Sequence, residues 1–194
     1  MKNKQIEEIK ELGQTIWLDH SNSEIISSGH LQKYIDDGIS GVAANHIIFS
    51  DLHVGSADNN ERIKELSKQQ KNNEEIFLSL AINDIKIAAD QLIQVYERSG
   101  GTDGFVSIEI TPHLAHDADG TIQQARTLWK ILNRRNIMLK IPATVEGLTA
   151  IRKCISEGMN IHCTLLFGLP RYKEVIEAYI SGLEDRIKAK KSII

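Results

Sequence analysis

The residue best suited to chemistry in this chain is a lysine inside an apolar stretch. Residues 137–141 read IMLKI and are followed by Pro142, so Lys140 lies in a run about as long as a buried strand. Burial disfavours the ammonium form of a lysine and lowers its pKa, and a neutral amine can attack a carbonyl carbon to form a Schiff base. A lysine at a strand end can instead extend its ammonium group to solvent, so the stretch alone leaves both interpretations open.

A second cluster of chemical groups occurs in the segment PHLAHD, where His113, His116 and Asp117 lie close together. The H-x-x-H spacing would suit two metal ligands on one helical turn. Pro112 and the loop context disfavour such a turn. No metal site is predicted here.

Strands and helices alternate along the whole chain, which is typical of an α/β fold with a parallel sheet. Helices are predicted over residues 2–12, about 23–36, 74–98, 121–132, 146–157 and 171–190, with helix and loop over 47–73. Residues 76–80 also fit a strand on local composition. The five predicted strands are residues 15–19, 41–45, 105–110, the lysine stretch and residues 161–167.

One polar residue in each predicted strand is a candidate for chemistry: Asp19, Asn45, Glu109, Lys140 and Thr164. Polar groups at the carboxyl ends of successive parallel strands are typical of the active face of a (β/α) barrel. A doubly wound sheet usually has a glycine-rich phosphate loop after its first strand, and WLDHSNSE is not such a loop. We therefore predict an incomplete (β/α)8 TIM-type barrel with about five parallel strands.

The composition predicts one domain over residues 1–194, because 41% hydrophobic residues can form a sizeable core. A net charge of -3 disfavours nucleic acid and membrane surfaces as partners. No secretory signal or apolar run of about 20 residues is present, so no membrane span is expected. The two cysteines, Cys154 and Cys163, have no disulfide or metal spacing, which favours a cytoplasmic protein.

Six stretches resemble the transaldolase family, most closely its bacterial branch with a WLD strand. They cover about residues 13–186, and they read IWLDH, GVAANHIIF, SGGTDGFVSIEITPHLAHD, IMLKIPATVEGL, EGMNIHCTLLFG and RYKEVIEAYISGLEDR. The resemblance implies a class I, Schiff-base enzyme on a (β/α)8 barrel. Such an enzyme transfers a dihydroxyacetone unit between sugar phosphates and needs no metal or cofactor.

The resemblance also assigns roles to the polar strand residues. Lys140 matches the Schiff-base lysine and Asp19 the acid/base carboxylate. Glu109 and Thr164 match the pair that positions a catalytic water, and Asn45 matches the asparagine that holds a substrate hydroxyl. Taken singly, Asp19 could cap a helix, Glu109 could pair with a buried cation, and the other two could be ordinary turn and strand residues.

The chain departs from the family pattern beside these residues. Thr-Ser-Asn-Pro is usual where this chain has Ala43, Ala44, Asn45 and His46. His46 could be an acid/base group or a loop residue that replaces the proline. His162 replaces an asparagine, and it precedes Thr164 by two positions, so both point to the inward side of the strand. His46 and His162 are both expected near the substrate. Gly168 stands where serine is usual.

The later strands of the family, with the serine and arginine that bind the substrate phosphate, have no counterpart in 194 residues. Five strands leave open edges, so we expect a homo-oligomer, such as a dimer, or a complementary second half-barrel to cover them. The expected activity is aldol-type chemistry on a small carbonyl compound, repurposed to a non-phosphorylated substrate in specialised biosynthesis. The alternative is a pseudoenzyme or a binding partner of another barrel protein.

Overall fold

The computed structural model describes residues 3–19, 25–26, 29–44, 57–69 and 73–193. The described strands form one sheet in the order β1-β2-β3-β4-β5, and the pairs β1–β2 and β4–β5 are parallel. The strands are β1 (Trp17–Leu18), β2 (Gly41–Ala44), β3 (Val106–Glu109), β4 (Ile137–Pro142) and β5 (Ile161–Thr164). This arrangement confirms the predicted α/β class and is consistent with an incomplete TIM-type barrel.

The helices of the described residues follow the predicted alternation. They are α1 (Lys4–Glu11), α2 (His30–Asp37), α3 (Ala57–Lys68), α4 (Asn73–Arg98), α5 (Ala118–Leu132), α6 (Val145–Glu157) and α7 (Leu169–Lys188). None of these helices is both long enough and apolar enough to cross a membrane.

Several boundaries differ from the sequence prediction for identifiable reasons. Residues 76–80 are not among these differences, because they belong to the 26-residue helix α4, as the predicted helix over 74–98 requires. The fifth strand ends at Thr164 rather than 167, because Leu165 adopts a left-handed backbone with φ 60°. α5 begins three residues early because the Asp117 side chain accepts a hydrogen bond from the Gly120 amide and caps the helix.

The chain divides into two compact units, residues 1–106 with 134–136 and residues 107–133 with 137–194. In the first unit β1 pairs with β2, and α4 packs against β2. Asn136 is completely buried there, and its amide donates hydrogen bonds to the carbonyls of Ala89 at 2.9 Å and Gly104 at 3.0 Å. The single domain over residues 1–194 stays a prediction.

In the second unit β4 is covered by helices on one face. Ile137, Leu139 and Ile141 alternate along the strand and are completely buried, and both α5 and α6 contact β4. An ion pair joins the two helices, because the Arg126 guanidinium donates to the Glu157 carboxylate at 2.5 and 2.8 Å. These hydrogen bonds lower the pKa of Glu157. The helical layer therefore holds β4 from the side opposite Lys140.

Candidate active site

Lys140 lies on the face of β4 that turns away from the helical layer. Successive side chains of a strand point to opposite faces, so Met138, Lys140 and Pro142 share this face while the three buried branched residues share the other. Lys140 is only 9% exposed. The structure thus supports a buried lysine rather than one that reaches into solvent.

Glu109 provides a carboxylate beside the lysine in the second unit. The Ile110 amide donates to the Lys140 carbonyl at 3.0 Å, which sets Glu109 beside the lysine on the neighbouring strand. Lys140 Nζ and Glu109 Oε1 are 3.8 Å apart, and both side chains are largely buried. This separation is an ion-pair distance that one water molecule can bridge, so the pair is suited to proton transfer at the amine.

The other neighbour of β4 brings two more predicted residues to the same face. In the parallel register Lys140 is opposite His162 and Pro142 is opposite Thr164. Paired residues on adjacent strands point to the same side, so Lys140 has Glu109 on one flank and His162 on the other. The predicted inward parity of His162 and Thr164 agrees with this register.

Ser107 is a polar residue on this face that the sequence prediction missed. It precedes Glu109 by two positions in β3 and is completely buried. Among the described residues its hydroxyl has no hydrogen-bond partner. In the sequence V-S-I-E, alternate residues of a strand point to the same face, which places the serine beside the glutamate. This alternation could have identified Ser107 from the sequence.

The remaining predicted residues lie elsewhere in the chain. Asp19 follows β1 directly in the first unit, where it is exposed. Asn45 and His46 lie outside the described residues. The structure therefore brings together Glu109, Lys140, His162 and Thr164, and the other three assignments stay predictions.

The end of β4 is fixed by the start of α6. The Thr144 hydroxyl caps the helix by accepting from the Gly147 amide at 2.9 Å, and it also donates to the Ala115 carbonyl at 2.5 Å. A Cβ atom on Gly147 would lie 2.0 Å from the Pro142 carbonyl oxygen. Only glycine permits the end of β4 to lie this close to the first turn of α6. This contact fixes the end of β4, just after Lys140, against the helix.

The PHLAHD segment has structural roles here. Residues Pro112–Leu114 form a 3-10 turn, and Asp117 is the cap of α5 described above. His116 Nδ1 lies 3.1 Å from Glu146 Oε2. Across the described residues no group of three or more His, Cys, Asp or Glu side chains is arranged to hold a metal ion.

Comparison with known proteins places the chain in a family. Residues 16–194 match the family described as Transaldolase/Fructose-6-phosphate aldolase. The chain belongs to this family. It is 40% identical to a protein named Transaldolase from Saccharopolyspora erythraea over 184 residues, covering 94% of this chain and 50% of that protein. It is 42% identical to a Transaldolase from Trichodesmium erythraeum over 180 residues, covering 92% of this chain and 47% of that protein.

A third relative gives the same picture. The protein named Transaldolase 2 from Nostoc punctiforme is 40% identical over 194 residues, covering all of this chain and 51% of that protein. The chain therefore spans about half the length of the curated relatives that it matches. The resemblance inferred from the sequence is confirmed at the level of the family.

One chemical property of this transaldolase-family site can be checked without a substrate. Burial raises the pKa of the Cys163 thiol on β5 to about 11 and that of Cys154 on α6 to about 12. We expect native Cys163 to react with iodoacetamide at pH 8 roughly a hundredfold more slowly than in urea, because the thiolate is the nucleophile. Mass spectrometry of timed samples would measure both thiols.

Cys154 is the internal control for this measurement. It is more deeply buried, so it should react more slowly than Cys163 in the native protein. Equal rates for Cys163 in native and urea-treated protein would contradict the partial burial of its thiol.

Proposed function

We propose that the chain is a transaldolase-like, class I aldolase-type enzyme that makes or breaks carbon–carbon bonds through an iminium at Lys140. The supporting observation is the buried amine of Lys140 with the Glu109 carboxylate 3.8 Å away. Burying a lysine costs stability, and nucleophilic catalysis is a role that accounts for keeping it there.

The proposed reaction begins when Nζ of Lys140 adds to the carbonyl carbon of the substrate. The resulting carbinolamine gains a proton on its hydroxyl and loses water, which leaves the iminium. Glu109 and Thr164 are proposed to hold the water molecule that carries these protons. Asp19 is proposed to remove the proton of a substrate hydroxyl, so that the carbon–carbon bond breaks and its electrons flow into the iminium.

The proposed substrate is a small carbonyl compound that lacks the usual phosphate. His162, which is opposite Lys140 in register, is the residue that the resemblance identifies as a departure from asparagine. An imidazole presents different donors and more bulk than an amide, so it changes the wall of the site. We propose a repurposed reaction in specialised biosynthesis, with Asn45 and His46 as further substrate-binding residues.

We expect His162→Asn to lower kcat/KM for the accepted carbonyl substrate by roughly tenfold, the usual effect of one lost hydrogen bond to substrate. The variant should still form the adduct at Lys140, because the lysine is unchanged. Steady-state kinetics across the substrate panel would measure the change. His113→Asn is the matched control, since His113 is exposed and on the 3-10 turn. An equal loss in both variants would contradict the role of His162.

Trapping with borohydride tests the proposed chemistry directly. The protein is incubated with small aldehydes and ketones, phosphorylated and not, in the presence of sodium borohydride. Borohydride reduces an iminium to a stable secondary amine, so peptide mass spectrometry should locate the substrate carbon on Lys140. Complete absence of an adduct at Lys140 across the panel would contradict the proposal.

The second candidate is a pseudoenzyme or a binding partner of another barrel protein. It is supported by the changed residue beside Lys140, because His162 stands where the resemblance leads us to expect asparagine. A partner captured by wild type and by a Lys140→Ala variant alike, without any trapped adduct, would favour this candidate.

The partners proposed for the enzyme are the carbonyl substrate and either a second copy of the chain or a complementary half-barrel. β5 is the last strand of the described sheet, and all four of its residues are partly exposed. An open strand edge of this kind usually needs cover. The cytoplasmic location also stays a prediction. The two free cysteines support it, because thiols stay reduced in that compartment.

A further inference from the structure

Ser107 carries a buried hydroxyl group in β3 that the mechanism described above does not use. Its side chain is completely buried, and its Oγ atom has no hydrogen-bond partner among the residues that the structure describes. A hydroxyl that loses contact with water and gains no partner costs stability, so most buried polar groups are hydrogen-bonded. An exception of this kind often marks a bound water molecule or a role in an active site.

The strand places this hydroxyl next to the reactive pair of the site. Ser107 precedes Glu109 by two residues, so the two side chains share the face on which Lys140 also lies. Their Cα atoms are about 6.6 Å apart, which is the rise of two strand residues. Glu109 Oε1 is in turn 3.8 Å from Lys140 Nζ. The orphaned hydroxyl thus belongs to the surroundings of the amine rather than to the apolar core behind β4.

The neighbouring strand offers the hydroxyl no strong partner. The residue that precedes Lys140 on this face of β4 is Met138, whose thioether sulfur is only a weak acceptor. The strong hydrogen-bonding groups that remain nearby are the Glu109 carboxylate and the Lys140 amine. A buried water typically makes about three hydrogen bonds to polar groups that otherwise lack partners, and this face supplies three such groups.

The spacing suits a single water molecule between the serine and the glutamate. Two hydrogen bonds of about 2.8 Å in series span about 5.5 Å, which is close to the separation of the two positions. A carboxylate has two oxygen atoms that can each accept hydrogen bonds. One oxygen of Glu109 can therefore accept from this water while Oε1 stays beside the amine.

We propose that Ser107 is a positioning residue that holds the Glu109 carboxylate toward Lys140 through one bound water molecule. The serine hydroxyl donates to the water, and the water donates to the carboxylate. This water is distinct from the proton-carrying water proposed above, because Thr164 is on β5, at the other flank of the lysine. The catalytic consequence rests on the proposed function, whereas the hydrogen bonds themselves do not.

The first test is the thermal stability of Ser107→Ala. Removing one end of the bridge should lower the thermal midpoint by about 2–4 °C, which a chain of this length shows for one lost hydrogen bond. A hydroxyl without any partner predicts the opposite, because alanine would then remove a buried polar group at no loss. Scanning calorimetry on wild type and the variant would measure the shift.

A double-mutant cycle tests whether the hydroxyl acts on Glu109. In a chain that carries Glu109→Leu, the fall caused by Ser107→Ala should shrink to less than half, because the acceptor of the bridge is gone. A second background, Glu109→Gln, keeps the shape of the side chain and weakens the acceptor, so the fall there should be intermediate.

Ser40→Ala is the matched control for the cycle. Ser40 is also a buried serine whose hydroxyl has no partner among the described residues, but it belongs to the first compact unit. Its replacement should shift the thermal midpoint by the same amount with and without the change at Glu109, since separate sites contribute additively.

The catalytic consequence is a change in kcat rather than in KM. We expect Ser107→Ala to lower kcat for the accepted carbonyl substrate by roughly tenfold, because the carboxylate spends less time in the productive orientation. KM should stay within about twofold, and borohydride should still trap the adduct, since the amine is unchanged. Ser40→Ala should keep the kcat and KM of wild type.

A thermal midpoint of Ser107→Ala at or above that of wild type would overturn the bridge, as would an equal fall in all three backgrounds. An unchanged kcat in an active enzyme would overturn the positioning role. If wild type traps no adduct at all, the proposed function fails, and the thermal cycle still decides whether Ser107 holds Glu109. If adducts are trapped and the cycle is additive, the proposed function stands without the bridge.

Discussion

Replacing Lys140 with methionine will remove catalysis and leave the fold intact. We expect kcat/KM to fall by about 10³-fold or more, because the variant has no amine to form the covalent intermediate. The borohydride adduct should disappear with it. Methionine fills a similar volume in the buried strand, but it removes the partner of the Glu109 carboxylate, which costs stability. The thermal midpoint should therefore fall, while circular dichroism should stay that of a folded chain.

Lys130→Met is the matched control for this variant. Lys130 is an exposed lysine on α5, in the same compact unit, so its replacement should leave activity and trapping unchanged. Kinetics and peptide mass spectrometry on both variants would complete the comparison. Residual activity of Lys140→Met close to wild type would place the chemistry elsewhere in the protein.

Gly147→Ala will destabilise the second unit by about 3 kcal/mol or more, although alanine is normally the better helix former by about 1 kcal/mol. The added methyl group would lie 2.0 Å from the Pro142 carbonyl oxygen and 2.9 Å from Thr144 Oγ1. The end of β4 and the start of α6 must separate to accept it. Urea denaturation would measure the loss in the free energy of unfolding.

Gly168→Ala provides the comparison for this effect. Gly168 precedes α7 with an extended backbone at φ -144°, and the nearest atom to an added Cβ is Pro170 Cδ at 3.8 Å. Alanine fits that space, so the free energy of unfolding should change by less than about 1 kcal/mol. Equal stability of the two alanine variants would show that β4 and α6 can separate at little cost. Activity of Gly147→Ala should also fall, because Lys140 lies two residues before Pro142.

The strand that carries the lysine and the α/β class could be predicted from local sequence, whereas the burial of Lys140 required the structure. An apolar run on both alternations indicates a strand covered on both faces, and Lys140 interrupts such a run. The inward parity of His162 and Thr164 also follows from the strand period alone. The two-residue period of a strand does not show which residues of neighbouring strands lie opposite each other.

Register and special backbone conformations required the structure. The pairing of Lys140 with His162, and the 3.8 Å approach of Glu109, depend on how three strands align in space. The left-handed Leu165 ends β5 early, and no residue preference signals it, because a branched residue rarely adopts this conformation. Residues 76–80 were ambiguous because short apolar runs suit both helices and strands.

The order of the strands affects how the substrate range of this site can be changed. Glu109, Lys140, His162 and Thr164 come from three strands that are successive both in the chain and in the sheet. A single segment from β3 to β5 thus encodes the reactive amine together with its immediate neighbours. Directed evolution of a new substrate range should therefore hold Glu109, Lys140 and Thr164 constant and randomise His162 and the loops outside that segment. The variants in such libraries would differ in the substrates that they bind, while each keeps the lysine proposed to form the covalent intermediate.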